Sequence, residues 1–115
     1  MDAETTRKLC ALLGLGVRGR GAVVGVQQVR EAARRGKLVV AIAAPDASSN
    51  SLNKVIPLLR AREVPVYAGV TAKELGNAVG RESTAVVGVV DRGLAKGIKA
   101  LSLNAMPEGR KEELG

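Results

Sequence analysis

The chain has 115 residues, a net charge of +7 and 46% hydrophobic residues, but a single aromatic side chain, Tyr67. That length fits one small domain with a core of Val, Ala, Leu and Ile, and the missing aromatics exclude surfaces that stack several bases on aromatic rings. The charge is uneven: residues 5–43 carry Arg7, Lys8, Arg18, Arg20, Arg30, Arg34, Arg35 and Lys37 against Glu31 alone, while the rest carries ten residues of each sign and cancels, so one basic face is expected to attract a polyanion, with nucleic acid first.

Residues 3–15 place Leu9, Leu12, Leu13 and Leu15 on a helical stripe, and Cys10 within it reads as a small hydrophobe. Gly16, Gly19 and Gly21 alternate with Arg18 and Arg20, which predicts a basic turn before a short strand over residues 22–24. Gly25 then opens a helix that Gly36 closes as a C-cap, with Val26, Val29 and Ala33 inward and Gln27, Arg30, Arg34 and Arg35 elsewhere. Residues 38–44, LVVAIAA, are a continuous apolar run, expected to be a central strand buried on both faces.

After Pro45-Asp46, Ser48, Ser49 and Asn50 are candidate N-caps for a helix reaching about Arg62, which Pro57 is expected to kink. Residues 64–70 form the next strand. Thr71 and Glu74 have capping-box spacing and open a helix through Val79 that Gly80 ends. Residues 85–90 are another strand, and Asp91 caps a final helix through about Ser102. Residues 104–115, with Pro107 and mixed charges, are expected to be a flexible tail behind a single domain over 1–103. Strands alternating with helices predict an α/β/α sandwich, and taken alone they predict a largely parallel sheet.

Reactive chemistry is scarce. There is no His and one Cys, which removes Cys/His zinc sites and His-based triads, so no catalytic residue, metal or cofactor is expected. Asp46 and Asp91 follow strands, where α/β enzymes place catalytic groups, but turn and cap roles explain both. Gly14-Leu15-Gly16-Val17-Arg18-Gly19 matches G-x-G-x-x-G, yet it follows a helix rather than a strand, and no acid lies about 20 residues on. No apolar run reaches the roughly 18 residues of a membrane span. The N-terminus carries no secretory pattern, and the single Cys suits a reducing, cytoplasmic setting.

The segments LLGLGVRGRGAVVG, GVQQVREAARRGKLVVAIAAPDAS, VPVYAGVTAKELGNAVGRE and AVVGVVDRGLAKGI, in that order, resemble the kink-turn RNA-binding ribosomal-protein superfamily, and within it the bacterial YlxQ-like branch. The resemblance covers about residues 9–100 and rests on the set rather than on any one motif. The set comprises a helix-opening Gly, a strand ending in an Asp turn, L-G-x-x-x-G (Leu75 to Gly80) and V-x-D-x-G-x-A-K (Val89 to Lys96).

The resemblance implies a three-layer α/β/α sandwich with a mixed four-stranded sheet, replacing the parallel expectation. It also implies non-catalytic binding of structured RNA, kink-turn or ribosomal, by a monomer. Carried over, the RNA-facing helix start holds Gly25, Val26, Gln27, Gln28, Arg30 and Glu31, and the loop after L-G-x-x-x-G holds Arg81, Glu82 and Ser83. Arg18, Arg20, Arg34, Arg35 and Lys37 are expected to flank that site as phosphate contacts. The best-known members carry Asn, Glu and Lys where this chain has Gln27, Gln28 and Glu31. That departure motivates the alternative of a protein-interaction module that keeps the fold without specific RNA binding.

Overall fold

Asp2 starts the first helix: its carboxylate accepts the Thr5 N–H at 2.8 Å, and that bond holds the carboxyl below the usual carboxylate range. The structure, a computed structural model, describes residues 1–107. Helix α1 (Ala3–Arg18) leads to strand β1 (Ala22–Val24), α2 (Val26–Arg34) and β2 (Val40–Ala43). Then come α3 (Ser49–Ala61), β3 (Val66–Ala68), α4 (Ala72–Ala78), β4 (Val86–Val89), α5 (Arg92–Lys99) and β5 (Asn104–Ala105).

The strands form one sheet in the order β1-β4-β2-β3-β5. Only β2 and β3 run parallel; β1 with β4, β4 with β2 and β3 with β5 are antiparallel. The mixed sheet implied by the resemblance is therefore present, and the alternation-based parallel expectation is corrected. There are five strands rather than four. Asn104 and Ala105 pair with Ala68 and Tyr67, and the Arg60 guanidinium donates to the carbonyls of Met106 and Pro107 at 2.9 Å. Asn104 and Ala105, expected as the start of a tail, thus extend the sheet edge, and the carbonyls of Met106 and Pro107 are held by Arg60; residues 108–115 of that tail lie outside the described residues.

Period-2 alternation divides the core. Val40, Ile42 and Ala44 face one layer with Val87 and Val89, against Leu9, Leu13, Leu75, Ala95 and Ile98 from α1, α4 and α5. Ala41, Ala43 and Val86 face the other, against Val29, Ala33, Val55, Ile56 and Leu59 from α2 and α3. The full burial of β2 matches its unbroken apolar run.

Helix α1 outlasts its expected end at residue 15 and absorbs Gly16, one of the three glycines read as turn residues. Gly16 marks a close approach of α1 to α5 rather than a bend, since a Cβ there would lie 2.4 Å from a terminal methyl of Leu94, which would have to move. Leu15 is 57% exposed and leaves the apolar stripe. Cys10 is half-buried; burial, and then the nearby Glu74, push its thiol up. Helix α3 continues through Pro57.

Candidate nucleic-acid interface

The sheet has two ends, and these organise the charged residues. At the upper end β1 finishes, β2 finishes and β4 begins. Here Gly25 turns the chain from β1 into α2 with φ 93° and ψ 160°, a conformation only glycine adopts without strain. Its N–H donates to the Val86 carbonyl at 2.9 Å, which fixes the start of α2 beside the start of β4. Open space surrounds the position where a Cβ would project.

Helix α2 differs from its neighbours at this end. Asp2, Ser48, Thr71 and Asp91 each cap a helix with a side-chain oxygen, and Thr71 with Glu74 completes the expected capping box. Gly25 supplies no side chain, and no acid occupies the first turn of α2. The N–H groups of Val26, Gln27 and Gln28 therefore point out of the helix with no intrahelical acceptor, at the positive end of the dipole. Gln27 and Gln28 are exposed beside them.

The loop after α4 reaches the same end. Gly80, with φ 84°, and the Arg81 N–H, which donates to the Gly76 carbonyl at 2.8 Å, close α4. Ser83 then crosses so tightly over Gly76 that a Cβ on Gly76 would lie 2.3 Å from the Ser83 Cα. The L-G-x-x-x-G motif therefore has a physical content: one glycine permits the crossing and the other the cap. Thr84 donates to Ala72 and Ala44 to Ala85, so the loop is moored to α4 and β2. Arg81, Glu82 and Ser83 are exposed in this moored loop. Asp46, from the turn after β2, accepts the Ala72 N–H at 2.8 Å, which accounts for that carboxylate structurally.

At the lower end β1 and β2 begin and β4 finishes, with Val90 donating to Gly21 and Val39 to Val89, both at 2.8 Å. Arg18 closes α1 and Arg20 leads into β1; Arg34 closes α2, and Arg35 and Lys37 lead into β2. All five are exposed. Eight residues of helix rise, about 12 Å, separate the two ends of α2. The sequence-based set thus divides. Gly25, Val26, Gln27, Gln28, Arg81, Glu82 and Ser83 converge at the upper end. Arg18, Arg20, Arg34 and Lys37 collect at the lower end and do not flank the helix start.

Two further residues are committed elsewhere. Arg30 turns toward α3 and donates from Nη1 to the Lys54 carbonyl. Glu31 pairs with Arg35 Nε at 3.3 Å along α2, so its charge is partly spent on its own helix. One basic element was missed in the sequence reading: Arg92, Lys96 and Lys99 are exposed on α5, which carries no acid. Their i, i+4, i+7 spacing is visible in the sequence, but acids elsewhere cancel them in the regional charge sum. Among the described residues, no helix is long and apolar enough to cross a membrane.

A profile of the ribosomal protein L7Ae/L30e/S12e/Gadd45 family matches residues 8–99. The RNA-binding protein YlxQ of Bacillus subtilis (strain 168) is 35% identical over 92 residues, which cover 80% of this chain and 90% of that protein. Among solved structures, a Bacillus halodurans protein of unknown function aligns with a TM-score of 0.74 at 31% identity, covering 82% of this chain and 95% of its own. A Giardia lamblia 15.5 kD RNA-binding protein shares the fold with a TM-score of 0.71 at 20% identity, covering 88% of this chain and 87% of its own. With the profile running from within α1 to the end of α5 and taking in strands β1 to β4, the chain belongs to the ribosomal protein L7Ae/L30e/S12e/Gadd45 family.

Proposed function

We propose that the protein is a non-catalytic RNA-binding protein that takes a bent RNA, of the kink-turn class, at the upper end of the sheet. The observation that carries this reading is the uncapped start of α2. Three outward N–H groups, two exposed amides and an open glycine approach face solvent next to the moored 81–83 loop. A backbone free of side chain at Gly25 lets phosphate or a base edge come close. Gln27 and Gln28 hold both donors and acceptors, as purine edges require. Family membership and the name of the 35% identical relative support RNA as the ligand.

The lower cations act differently in this reading. Arg18, Arg20, Arg34 and Lys37 contact phosphates and carry no base information. Each phosphate contact steepens the fall of log K with log salt by about 0.7–0.9. The reading also places the protein in the cytoplasm, acting as a monomer on ribosomal or another structured RNA.

The test is a salt titration of binding to a kink-turn RNA and to a straight duplex of equal length. Selective binding of the kinked RNA is expected. Gln27→Ala and Gln28→Ala should reduce the selectivity, while Arg20→Ala and Arg34→Ala should lower both affinities and flatten the salt slope. Equal binding of wild-type protein to both RNAs would leave a generic RNA surface. No binding at physiological salt would turn the assignment toward a protein partner.

A further inference from the structure

Helix α5 holds three exposed cations, Arg92, Lys96 and Lys99, and its sequence RGLAKGIK contains no acid, amide, hydroxyl or aromatic side chain. Helical geometry puts the three within about 60° of one another and spreads them over about 10 Å of the axis. The other sides of α5 are occupied. Ala95 and Ile98 are buried in the core. Leu94 and Gly97 meet α1, since a Cβ on Gly97 would lie 3.7 Å from Leu12 and one on Gly16 would strike Leu94. The cations therefore line the outer flank of α5, turned away from α1. Asp91 bonds to Gly21 at the lower end of the sheet, so the row starts there and climbs from Arg92 to Lys99. The sheet lies between this row and α2.

The charge of the row is unspent. Among the described residues, none of the three cations takes part in an ion pair or a side-chain hydrogen bond. The acids of the same layer are engaged elsewhere. Asp91 accepts the Leu94 N–H at 2.7 Å, Glu74 the Thr71 N–H at 3.0 Å and Asp2 the Thr5 N–H at 2.8 Å, while Glu4 pairs with Lys8 at 3.5 Å. Lys96 and Lys99 suit the negative end of the helix dipole. Arg92 does not: it is the first residue of α5, at the positive end, where a cation is disfavoured. Its position does not serve the helix, but it does lengthen the row.

We propose that the outer flank of α5 is a second docking surface, which takes the phosphate backbone of an RNA duplex while the start of α2 holds the kinked RNA, so that the protein joins two RNA segments. The choice of RNA rests on the functional reading above; the site does not. The chemistry of the row selects the ligand. Three cations in line, with no base-reading amide and no ring to stack on, match a repeating anion read without regard to sequence. A protein partner would call for an apolar or aromatic anchor at the centre of the contact, and α5 exposes none. A membrane surface would call for an apolar face free to insert, and that face of α5 is buried against the core.

The experiment follows a fluorescent straight RNA duplex by anisotropy, across a salt series, with free protein and with protein carrying one equivalent of unlabelled kink-turn RNA. The duplex should still bind the preloaded protein. The combined Arg92→Gln, Lys96→Gln and Lys99→Gln variant should bind it about tenfold more weakly, with a salt slope smaller by about 2, and should bind the kink-turn RNA as wild type does. Gln is a good helix former at these exposed positions. Lys96→Glu alone gives the same direction of change should circular dichroism show the triple variant unfolded.

An unchanged duplex affinity and slope in the folded variant overturns the proposal. So does a preloaded protein that no longer takes the duplex, which would mean one shared site. Competition by polyglutamate as strong as that of unlabelled duplex also overturns it, in favour of an acidic protein partner. Failure to prefer kinked over straight RNA counts against the reading of the α2 site instead, and the comparison of wild type with the α5 variant on the duplex decides the proposal in that case too.

Discussion

Arg20 holds a φ of 64°, in the left-handed region that costs a non-glycine residue about 1–2 kcal/mol. The cause is the way α1 ends: Gly21 N–H bonds to the Gly16 carbonyl at 2.6 Å and Arg20 N–H to the Val17 carbonyl at 3.2 Å, a Schellman closure. Helices α2 and α4 end the same way with Gly36 and Gly80 at the left-handed position, and these two ends were legible in the sequence because glycine marks them. Arg20, and Glu63 after α3, occupy that position without the marker, so the end of α1 was misplaced by three residues. An arginine kept where glycine fits better is consistent with a role for its guanidinium. Arg20→Gly relieves the strain, and the unfolded-chain entropy of glycine returns only about 0.4–1 kcal/mol. The variant should therefore melt at a higher temperature than wild type, with a gain of up to about 1 kcal/mol. It should also bind RNA more weakly and with a shallower salt slope. A destabilised variant with unchanged binding would remove Arg20 from the interface.

At the scale of the element, α2 is the informative helix. Its C-terminus is well satisfied: Arg62, at the end of α3, donates to the carbonyls of Ala33 at 3.0 Å and Arg34 at 3.2 Å. Its N-terminus is left open, although the other four helices have side-chain caps. The caps at Ser48, Thr71 and Asp91 were readable from residue type and spacing. The uncapped start of α2 was readable as a glycine where a capping side chain would otherwise stand. The separation of the lower cations from that opening was not readable, because it follows from the direction in which α2 crosses the sheet. A carboxylate introduced into the empty first turn separates stability from binding. Gln27→Glu should stabilise the fold by about 0.3–1 kcal/mol through the helix dipole. It should also weaken RNA binding by about tenfold or more, since a contact to a charged phosphate worth about 1.5–3 kcal/mol becomes a repulsion. Thermal melts and anisotropy titrations on one preparation check both signs, and a variant that binds RNA as tightly as wild type would place phosphate elsewhere.

Across the whole molecule, helix–strand alternation and the buried β2 run were enough for an α/β/α sandwich but not for the strand directions. β1 and β4 enter antiparallel to their neighbours because α2 returns the chain to the lower end for β2, while the 81–84 loop delivers β4 at the upper end. The fifth strand is two exposed residues, Asn104 and Ala105, with no alternation to betray it; only its pairing to β3 and the Arg60 contacts define it. The finished architecture puts the uncapped start of α2 at one end of the sheet and a group of exposed cations at the other, and Arg92, Lys96 and Lys99 lie on α5, in the helical layer that also holds α1 and α4.

That arrangement makes the claim about RNA spatially specific. The most direct measurement is amide chemical-shift mapping of the 115-residue protein during titration with a kink-turn RNA. The largest changes should fall on residues 25–28 and 81–83, with smaller ones at Arg20, Arg35 and Lys37. Changes confined to α5, at Arg92, Lys96 and Lys99, with an undisturbed α2 start, would contradict the account.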